Sequence, residues 1–195
     1  MLLKNVRLSF PNLFVATSFA VDAPKKYGAT FIVEKGTEEH KRILAEIERV
    51  ATEKWGPKAM GVLESLAANN KIALRDGAAK AQLDGFGSDV VFFNTSSQKR
   101  PGVYDRDQTP LTADDGRPYA GCYVNVMVEF WCQDNQFGKR VNAELRGVQF
   151  DSDGEPFGGG GRPAAADEFP KLEDSDDDIP WTQGEPKATA GGWMD

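Results

Sequence analysis

The chain has few of the residue types from which metal centres and nucleophilic active sites are built. It contains one histidine and two cysteines among 195 residues. His40 lies among Glu and Lys residues of a predicted helix, which indicates a solvated position, and Cys122 and Cys132 lack the close pair spacing of zinc ligands. The sequence has no P-loop, no Gly-x-Ser-x-Gly motif and no general base among histidines besides His40. We therefore expect no metal site, no cofactor and no enzymatic activity.

Long apolar runs are also missing. No stretch approaches the roughly 18 to 20 apolar residues that span a bilayer, and the N-terminus lacks the apolar segment of a signal peptide.

Cys122 and Cys132 lie ten positions apart in one predicted strand, which separates them by roughly 30 Å and prevents a disulfide between them. Two reduced thiols suit a cytosolic protein. We expect a cytoplasmic location and no membrane partner.

Charge divides the chain into a slightly basic body and an acidic tail. Residues 1–150 carry 20 basic and 18 acidic side chains, whereas residues 151–195 carry 3 basic and 12 acidic ones. The tail also contains four consecutive glycines and few apolar groups, so it cannot offset its ordering entropy. We predict one folded domain at 1–150 and a flexible tail at 151–195. Charge asymmetry of this kind points to a nucleic-acid partner, because the body remains free to bind a polyanion.

Strands outnumber helices in the predicted body. Val6, Leu8 and Phe10 alternate with polar residues, which predicts a strand that ends at Pro11. Thr37 is a suitable N-cap for one helix over about 38–55, which Gly56 and Pro57 end. The stretch from there to residue 77 is predicted to be irregular, and residues 99–119 form a long polar connection. Further strands are predicted at 27–34, 90–93, 121–133 and 140–150, with the last two forming a hairpin.

Cations and aromatic side chains alternate in the second half of the body. Binding of single-stranded nucleic acid requires both, because cations follow the phosphates and flat rings stack on unpaired bases. Aromatic residues on the polar side of a sheet also pair across strands, so each ring taken singly has a structural explanation. The cluster nevertheless predicts a nucleic-acid interface made by Arg100, Tyr104, Arg106, Tyr119, Tyr123, Trp131, Lys139 and Arg140.

Two metal-dependent alternatives are weaker. Asp174, Asp176, Asp178 and Glu185 match positions 1, 3, 5 and 12 of a calcium-binding loop, but Ile179 stands where that loop needs glycine. A second alternative is a magnesium-dependent nuclease, for which loop solvation is the better explanation of the acids. Its candidate ligands are Asp105, Asp107, Asp114 and Asp115.

The last part of the tail resembles the acidic tip of bacterial single-stranded DNA-binding proteins, which ends Asp-Asp-Asp-Ile-Pro-Phe and recruits replication and repair enzymes. Here Trp replaces Phe, and 14 residues follow it. A second aromatic and acidic tip ends the chain at residues 192–195. The resemblance implies a partner-docking role for Asp176, Asp177, Asp178, Ile179, Pro180 and Trp181.

The body resembles phage-encoded single-stranded DNA-binding proteins with an OB-fold core, through segments 5–14, 74–77, 100–106 and 119–124. This resemblance implies a mainly β fold with one helix, an OB-fold-like barrel whose long loops form a DNA groove. It further implies a protein that coats single-stranded DNA without sequence preference in phage replication, recombination and repair, while the acidic tail regulates binding and recruits replication proteins. The alternative is an interaction module whose acidic tail docks a basic partner, without DNA binding by the body.

Overall fold

Seven strands and two α-helices make up the part of the chain that the structure describes. This computed structural model describes residues 1–18, 21 and 23–159. The strands are β1 (Leu2–Thr17), β2 (Lys26–Glu34), β3 (Leu74–Asp76), β4 (Val90–Ser97), β5 (Gly102–Tyr104), β6 (Tyr123–Asn135) and β7 (Gly138–Ser152). The helices are α1 (Glu38–Trp55) and α2 (Ala59–Ala68), and 3₁₀ turns occupy Gly56–Lys58, Gly77–Lys80, Ala113–Asp115 and Phe157–Gly159.

Five of these strands close a barrel. β4, β2, β1, β6 and β7 are hydrogen-bonded neighbours in that order, and β7 returns to β4 through a parallel pair between Ser96 and Glu144. Counted in chain order, the barrel strands follow the circular order 1-2-3-5-4, with strands 3 and 5 parallel. This is the five-stranded Greek-key arrangement of the OB-fold. The predicted fold class, an OB-type barrel of mainly β structure, is therefore confirmed.

The barrel interior is filled by the alternate residues of its strands. On β6, Val124, Val126, Val128 and Phe130 are all buried, as the period of two predicts. Three phenylalanine rings cross the interior, with centroid distances of 5.3 Å from Phe31 to Phe93 and 5.7 Å from Phe93 to Phe130. Each such buried side chain contributes roughly 1.5 to 3 kcal/mol relative to an exposed one.

Among the described residues, no helix has the length and apolarity that crossing a membrane would require.

The helix predicted from residue 38 begins and ends where the sequence indicates. The Thr37 hydroxyl accepts a hydrogen bond from the His40 backbone N–H at 3.3 Å and donates to the Glu34 carbonyl at 2.8 Å. Glu39 lies in the first turn, near the positive end of the helix dipole. Gly56 ends the helix with a positive φ of 56°, a conformation that glycine adopts without steric cost. α1 packs one apolar face against the barrel core: Ile43, Ile47, Val50 and Ala51.

β1 does not end at Pro11, as predicted, but continues to Thr17. Its pairing with β2 shifts register between Ser9 and Asn12, and Phe10 has a left-handed φ of 48°. Such a bulge tolerates proline, which cannot donate to the ladder. As a result Ser9 is buried, and Phe10, predicted to lie on the buried face, is 50% exposed.

The stretch after α1, predicted to be irregular, contains a second helix. α2 runs from Ala59 to Ala68 and buries Ala59, Leu63 and Leu66, whose spacing of four and three is that of an amphipathic helix. The polar connection at 99–119 likewise contains the short strand β5, which pairs in parallel with β7. These additions leave the barrel topology unchanged.

The described chain extends past the predicted domain boundary at residue 150. β7 ends at Ser152, and the backbone N–H of Phe157 still donates a hydrogen bond to the Ala120 carbonyl oxygen, in the turn before β6, at 3.0 Å. The rest of the predicted tail lies outside the described residues. The predicted docking residues Asp176, Asp177, Asp178, Ile179, Pro180 and Trp181 are among them.

Candidate nucleic-acid interface

A groove runs over the outer face of β2 and β4, the second and third strands of the barrel. Its floor is made by cross-strand pairs, among them Gly28 with Ser96 and Thr30 with Asn94. A Cβ atom added at Gly28 would lie 2.3 Å from the Thr95 carbonyl oxygen, so only glycine fits there and the floor stays low. The cavity measures about 570 Å³ and is also lined by Phe10, Asn12, Thr17, Lys26, Tyr27, Ala29, Lys80 and Thr95.

An aromatic cluster with one cation forms the wall of this groove. The ring centroids of Phe10 and Phe86 lie 6.4 Å apart, and those of Phe86 and Phe92 lie 5.3 Å apart in an edge-to-face arrangement. Lys80 Nζ lies 5.3 Å from the first two centroids and 4.7 Å from that of Phe92. Because Phe86 and Phe92 are buried and Phe10 is not, the cluster presents one ring and one positive charge to the groove.

The local sequence fixes Lys80 at this place. It ends the 3₁₀ turn Gly77–Lys80, which starts at Asp76, whose carboxylate accepts a hydrogen bond from the Ala78 backbone N–H at 2.8 Å. Gly77 has no space for a side chain, since an added Cβ would lie 2.5 Å from the Gly87 carbonyl oxygen. Burial lowers the pKa of Lys80, and the nearby charge of Arg75 lowers it further.

Arg75 adds a second cation beside Phe92 and near Lys80. It lies opposite Phe92 in the β3–β4 pair, which places both side chains on the outer face. Within the described residues its buried Nε has no hydrogen-bond partner, and neither Arg75 nor Lys80 belongs to an ion pair there. Two cations that form no ion pair among the described residues provide a site suited to an anion such as a phosphate.

The groove continues across the seam between β4 and β7. A second cavity of about 490 Å³ shares Lys26 and Ser96 with the first and reaches Lys99 and Trp131. Trp131 is 41% exposed. In the β6–β7 register Trp131 pairs with Asn142, and Gln133 pairs with Arg140. Because these pairs lie two positions apart along the strands, Arg140 lies on the same outer face as Trp131.

Charge distinguishes this groove from a larger cavity between β1 and the loop after β3. That cavity measures about 820 Å³, and four acids outnumber two cations in its lining: Lys4, Arg7, Glu34, Glu39, Asp89 and Asp153. The two cavities of the groove are lined by four basic side chains and one acidic one: Lys26, Lys80, Lys99, Arg146 and Glu144. Arg146 is ion-paired with Glu129 at 2.6 Å and with Glu144 at 3.3 Å. Since a polyanion is bound through its phosphates, the groove is the better candidate.

The structure does not bring the eight predicted interface residues together. Trp131 and Arg140 lie on the outer face that continues the groove. Arg100 is exposed just after β4, with its guanidinium 5.6 Å from the Phe14 ring centroid. Lys139 lies on the opposite face of the hairpin, 3.5 Å from the Asp134 carboxylate.

Tyr104 and Arg106 lie at another edge of the sheet. Tyr104 belongs to β5 and lines a separate cavity of about 480 Å³ with Met127 and Gln149. Arg106 follows in the next turn, where its carbonyl oxygen accepts a hydrogen bond from Gln149 Nε2 at 3.2 Å. Neither residue lines the groove on β2 and β4.

Tyr119 and Tyr123 lie against the chain that follows β7. The Tyr119 hydroxyl donates to the Asp153 carboxylate at 2.8 Å, and burial raises the pKa of this tyrosine. The Arg7 guanidinium lies 5.7 Å from the Tyr123 ring centroid and donates to the Glu155 carbonyl oxygen at 3.0 Å. These contacts give both tyrosines a structural role at residues 153–157.

Phe157 connects this segment to the wall of the groove. Its ring lies 4.5 Å from the Arg7 guanidinium and covers Gly85, where an added Cβ would lie 2.2 Å from the ring. It also packs against the small apolar cluster that contains Phe86 and Phe92. We call the contacts of Arg7 and Gly85 with Phe157 the Phe157 anchor.

Sequence reasoning missed several residues of the groove: Phe10, Lys26, Tyr27, Lys80 and Asn94. The sequence carries a signal for Phe10, because a proline inside a strand indicates an edge or a bulge at that point. For Lys80 the run Gly77-Ala-Ala-Lys80 after an aspartate indicates a turn, but no local pattern shows that this turn meets the β2–β4 face.

A closed OB-type barrel with a basic, aromatic groove on its second and third strands is typical of proteins that bind single-stranded nucleic acids. Comparison with known sequences agrees. The chain belongs to the family described as "Enterobacter phage Enc34, ssDNA-binding protein", whose model matches residues 1–180. The resemblance to phage-encoded single-stranded DNA-binding proteins is thus confirmed, and the function of this family is binding rather than catalysis.

Individual relatives come from phages. The chain is 46% identical over 173 residues to putative protein p50 of Acyrthosiphon pisum secondary endosymbiont phage 1, which covers 87% of this chain and 92% of the relative. The structure of the single-stranded DNA-binding protein from bacteriophage Enc34 in complex with ssDNA matches with 25% identity and a TM-score of 0.66, covering 80% of this chain and 88% of that one. The gp2.5 protein of bacteriophage T7, a single-stranded DNA-binding protein, matches at 16% identity and a TM-score of 0.52, covering 82% and 90%, and supports the fold alone.

Proposed function

We propose that this chain binds single-stranded DNA along the groove on β2 and β4 and coats it without sequence preference during phage replication, recombination and repair in the host cytoplasm. The observation that carries the proposal is the position of Lys80 over the rings of Phe10, Phe86 and Phe92. A cation and an exposed ring side by side match a phosphate and its neighbouring base. Family membership supports the same function.

Each part of the groove has a separate task in this proposal. Lys80 and Arg75 bind phosphates, and Lys26 and Lys99 follow the backbone towards the β6–β7 hairpin. Phe10 and Trp131, both partly exposed, stack on bases, which contributes roughly 1 to 3 kcal/mol per base and tolerates any sequence. Duplex DNA fits poorly, because its bases are paired and stacked and cannot reach these rings.

The eight interface residues predicted from the sequence remain candidates for DNA binding, and they differ in how well their positions support that role. Trp131 and Arg140 are supported by their place beside the groove, and Arg100 by its exposure after β4. Tyr104, Arg106, Tyr119, Tyr123 and Lys139 line other surfaces, so we assign the groove residues the primary role.

We further propose that the acidic tail regulates binding and recruits replication proteins through residues 176–181. Residues 151–195 have a net charge of −9 on a body of +2, so the tail competes with DNA phosphates for the groove cations. Removing residues 160–195 should leave the affinity for single strands unchanged or raise it. A large loss of affinity on truncation would contradict the competition.

The direct test is a fluorescence-anisotropy titration of a labelled oligo-dT strand, compared with the matching duplex at several salt concentrations. We expect tight binding of the single strand, little binding of the duplex and quenching of the intrinsic Trp and Tyr emission. The affinity should fall with rising salt with a logarithmic slope of about −0.7 per phosphate contact. Absence of single-strand binding at low salt would contradict the proposal and favour an interaction module that docks a basic partner through the tail.

A further inference from the structure

A pocket with a lysine rim lies between α2 and the β6–β7 hairpin. It measures about 610 Å³ and shares no lining residue with the DNA groove. Lys58, Lys71 and Lys139 form its rim, and Val62 and Leu66 contribute apolar surface. We call it the α2 pocket.

The three lysines come from three different elements that folding brings together. Lys58 ends the 3₁₀ turn Gly56–Lys58, and Lys139 belongs to β7. Lys71 follows α2, where its carbonyl oxygen accepts a hydrogen bond from the Val141 backbone N–H at 3.0 Å. The rim is therefore a product of the tertiary structure and not a run of solvated residues in the sequence.

The rim is short of acidic neighbours. No acid lines the α2 pocket, and Lys58 and Lys71 form no ion pair within the described ranges of the chain. Lys139 lies 3.5 Å from Asp134. The pocket thus keeps two unpaired positive charges around an apolar floor.

This combination fits a peptide better than a nucleic acid. None of the lining residues is aromatic, so the pocket has no ring on which a base could stack. Carboxylates can meet the lysine rim, while an apolar side chain covers Val62 and Leu66. The required ligand is a peptide that places several acids next to an apolar tip.

We propose that the α2 pocket binds residues 176–181 of a second copy of this chain. That segment reads Asp-Asp-Asp-Ile-Pro-Trp, three acids followed by three apolar residues, which complements three lysines around an apolar floor. This contact goes beyond DNA binding, because it links neighbouring copies through a surface outside the groove.

The chain is long enough for such a contact. Asp176 lies 17 positions beyond Gly159, the last described residue. At about 3.3 Å per residue this length reaches roughly 56 Å, which exceeds the roughly 40 Å width of a domain of this size. The tip can therefore reach a neighbouring copy bound to the same DNA strand.

The first test is the binding of a fluorescein-labelled synthetic peptide of residues 173–181. The receptor is the full chain with its own tip disabled by Ile179→Ser and Trp181→Ser. We expect saturable binding that falls at least tenfold when Lys58→Glu and Lys71→Glu are added. Lys4→Glu with Lys41→Glu makes the same charge change on other faces and should leave the affinity within twofold.

A steric variant tests the pocket without a change of charge. Gly61 lines the pocket, and an added Cβ there meets no atom within 4 Å, so Gly61→Phe should block the pocket while α2 still folds. We expect loss of peptide binding. Unchanged binding to this variant, equal losses in both lysine pairs, or loss on Lys80→Gln instead would each overturn the proposal.

Mixing two variants of the full chain tests the contact between copies. Sedimentation velocity should show concentration-dependent association of the natural chain, and neither Lys58→Glu/Lys71→Glu nor Ile179→Ser/Trp181→Ser alone should associate. A mixture of the two should associate again, because one supplies the tip and the other the pocket. Failure of the mixture to associate would overturn the proposal. Oligo-dT titration of the natural chain separates the two proposals, since absent DNA binding with retained association would contradict the groove and leave the α2 pocket supported.

Discussion

The ammonium group of Lys80 lies 4.7 Å from the centroid of the Phe92 ring, a phenylalanine that is almost fully buried. A lysine at the edge of a core usually pairs with a carboxylate, which would cancel its charge. Here the aromatic ring face stabilises the cation by roughly 0.5 to 2 kcal/mol and leaves the positive charge available to an anion. Burial lowers the pKa of Lys80, and a bound phosphate would raise that pKa again.

Replacing Lys80 by Gln should weaken binding of single-stranded DNA and reduce its dependence on salt. If Lys80 contacts one phosphate, the logarithmic slope of affinity against salt should become shallower by about 0.7. Oligo-dT titrations at four or more salt concentrations measure this slope. Lys41→Gln is the matched control, because Lys41 is exposed on α1 and pairs with Glu38. An unchanged slope in the Lys80 variant would exclude the phosphate contact.

Replacing Phe10 by Ala should remove a stacking surface at little cost in stability. The expected loss of roughly 1 to 3 kcal/mol of binding corresponds to about 5- to 150-fold in affinity, whereas Phe10→Trp should retain binding and add a fluorescence signal that DNA quenches. Because Phe10 is half exposed, the thermal midpoint should change little. Leu44→Ala, at a comparably exposed position on α1, serves as the control. Equal affinities of the two alanine variants would argue against stacking on Phe10.

The Phe157 anchor should contribute to the stability of the barrel. Phe157→Ala removes the ring that lies on Gly85 and beside Arg7, and a partly buried phenylalanine of this kind should cost about 1 to 3 kcal/mol, below the value for a fully buried one. Urea denaturation measures the free energy of unfolding, and hydrogen exchange should show faster exchange of the Phe157 amide. An unchanged free energy of unfolding would mean that the anchor forms without stabilising the fold.

The stability of the protein should depend on the Cys122 thiol at alkaline pH. Burial raises the pKa of Cys122 to about 12, above the value of about 8.5 for a thiol in an unfolded chain. A raised folded-state pKa contributes stability that is complete below the unfolded pKa and is lost as pH rises towards 12, by at most about 1.4 kcal/mol per pH unit. Urea denaturation of the natural chain and of Cys122→Ala between pH 8 and 11 compares the two slopes. Parallel slopes would contradict this role of the thiol.

The elements with strong local signals could be predicted from the sequence. Thr37 as N-cap and the apolar spacing from Ile43 to Ala51 indicate α1 from the local sequence alone. The alternation along β6 similarly predicts which side faces the core. The sequence signal for α2 is weaker. Gly, Ala and Ser residues lie between the few large apolar residues of this helix, so the spacing of Leu63 and Leu66 stands out less clearly.

The candidate site could be predicted as a type of surface but not as a set of residues. Tyr104 and Trp131 both carry the aromatic character that the sequence indicates, yet β5 and β6 place them in separate cavities. Phe10 reaches the groove only because the β1 bulge turns it outward, and Lys80 only because β3 carries its turn to the β2–β4 face. Both depend on strand pairing between distant parts of the chain, which local patterns do not encode.

Photo-crosslinking with an oligonucleotide that contains 5-iododeoxyuridine tests the location of bound DNA most directly. After irradiation and digestion, mass spectrometry identifies the crosslinked residues. We expect crosslinks at Phe10, Tyr27 and Trp131, which line the groove, and their loss when unlabelled oligo-dT competes. Crosslinks concentrated at Tyr104 or Tyr119, with none in the groove, would contradict the binding of DNA on β2 and β4.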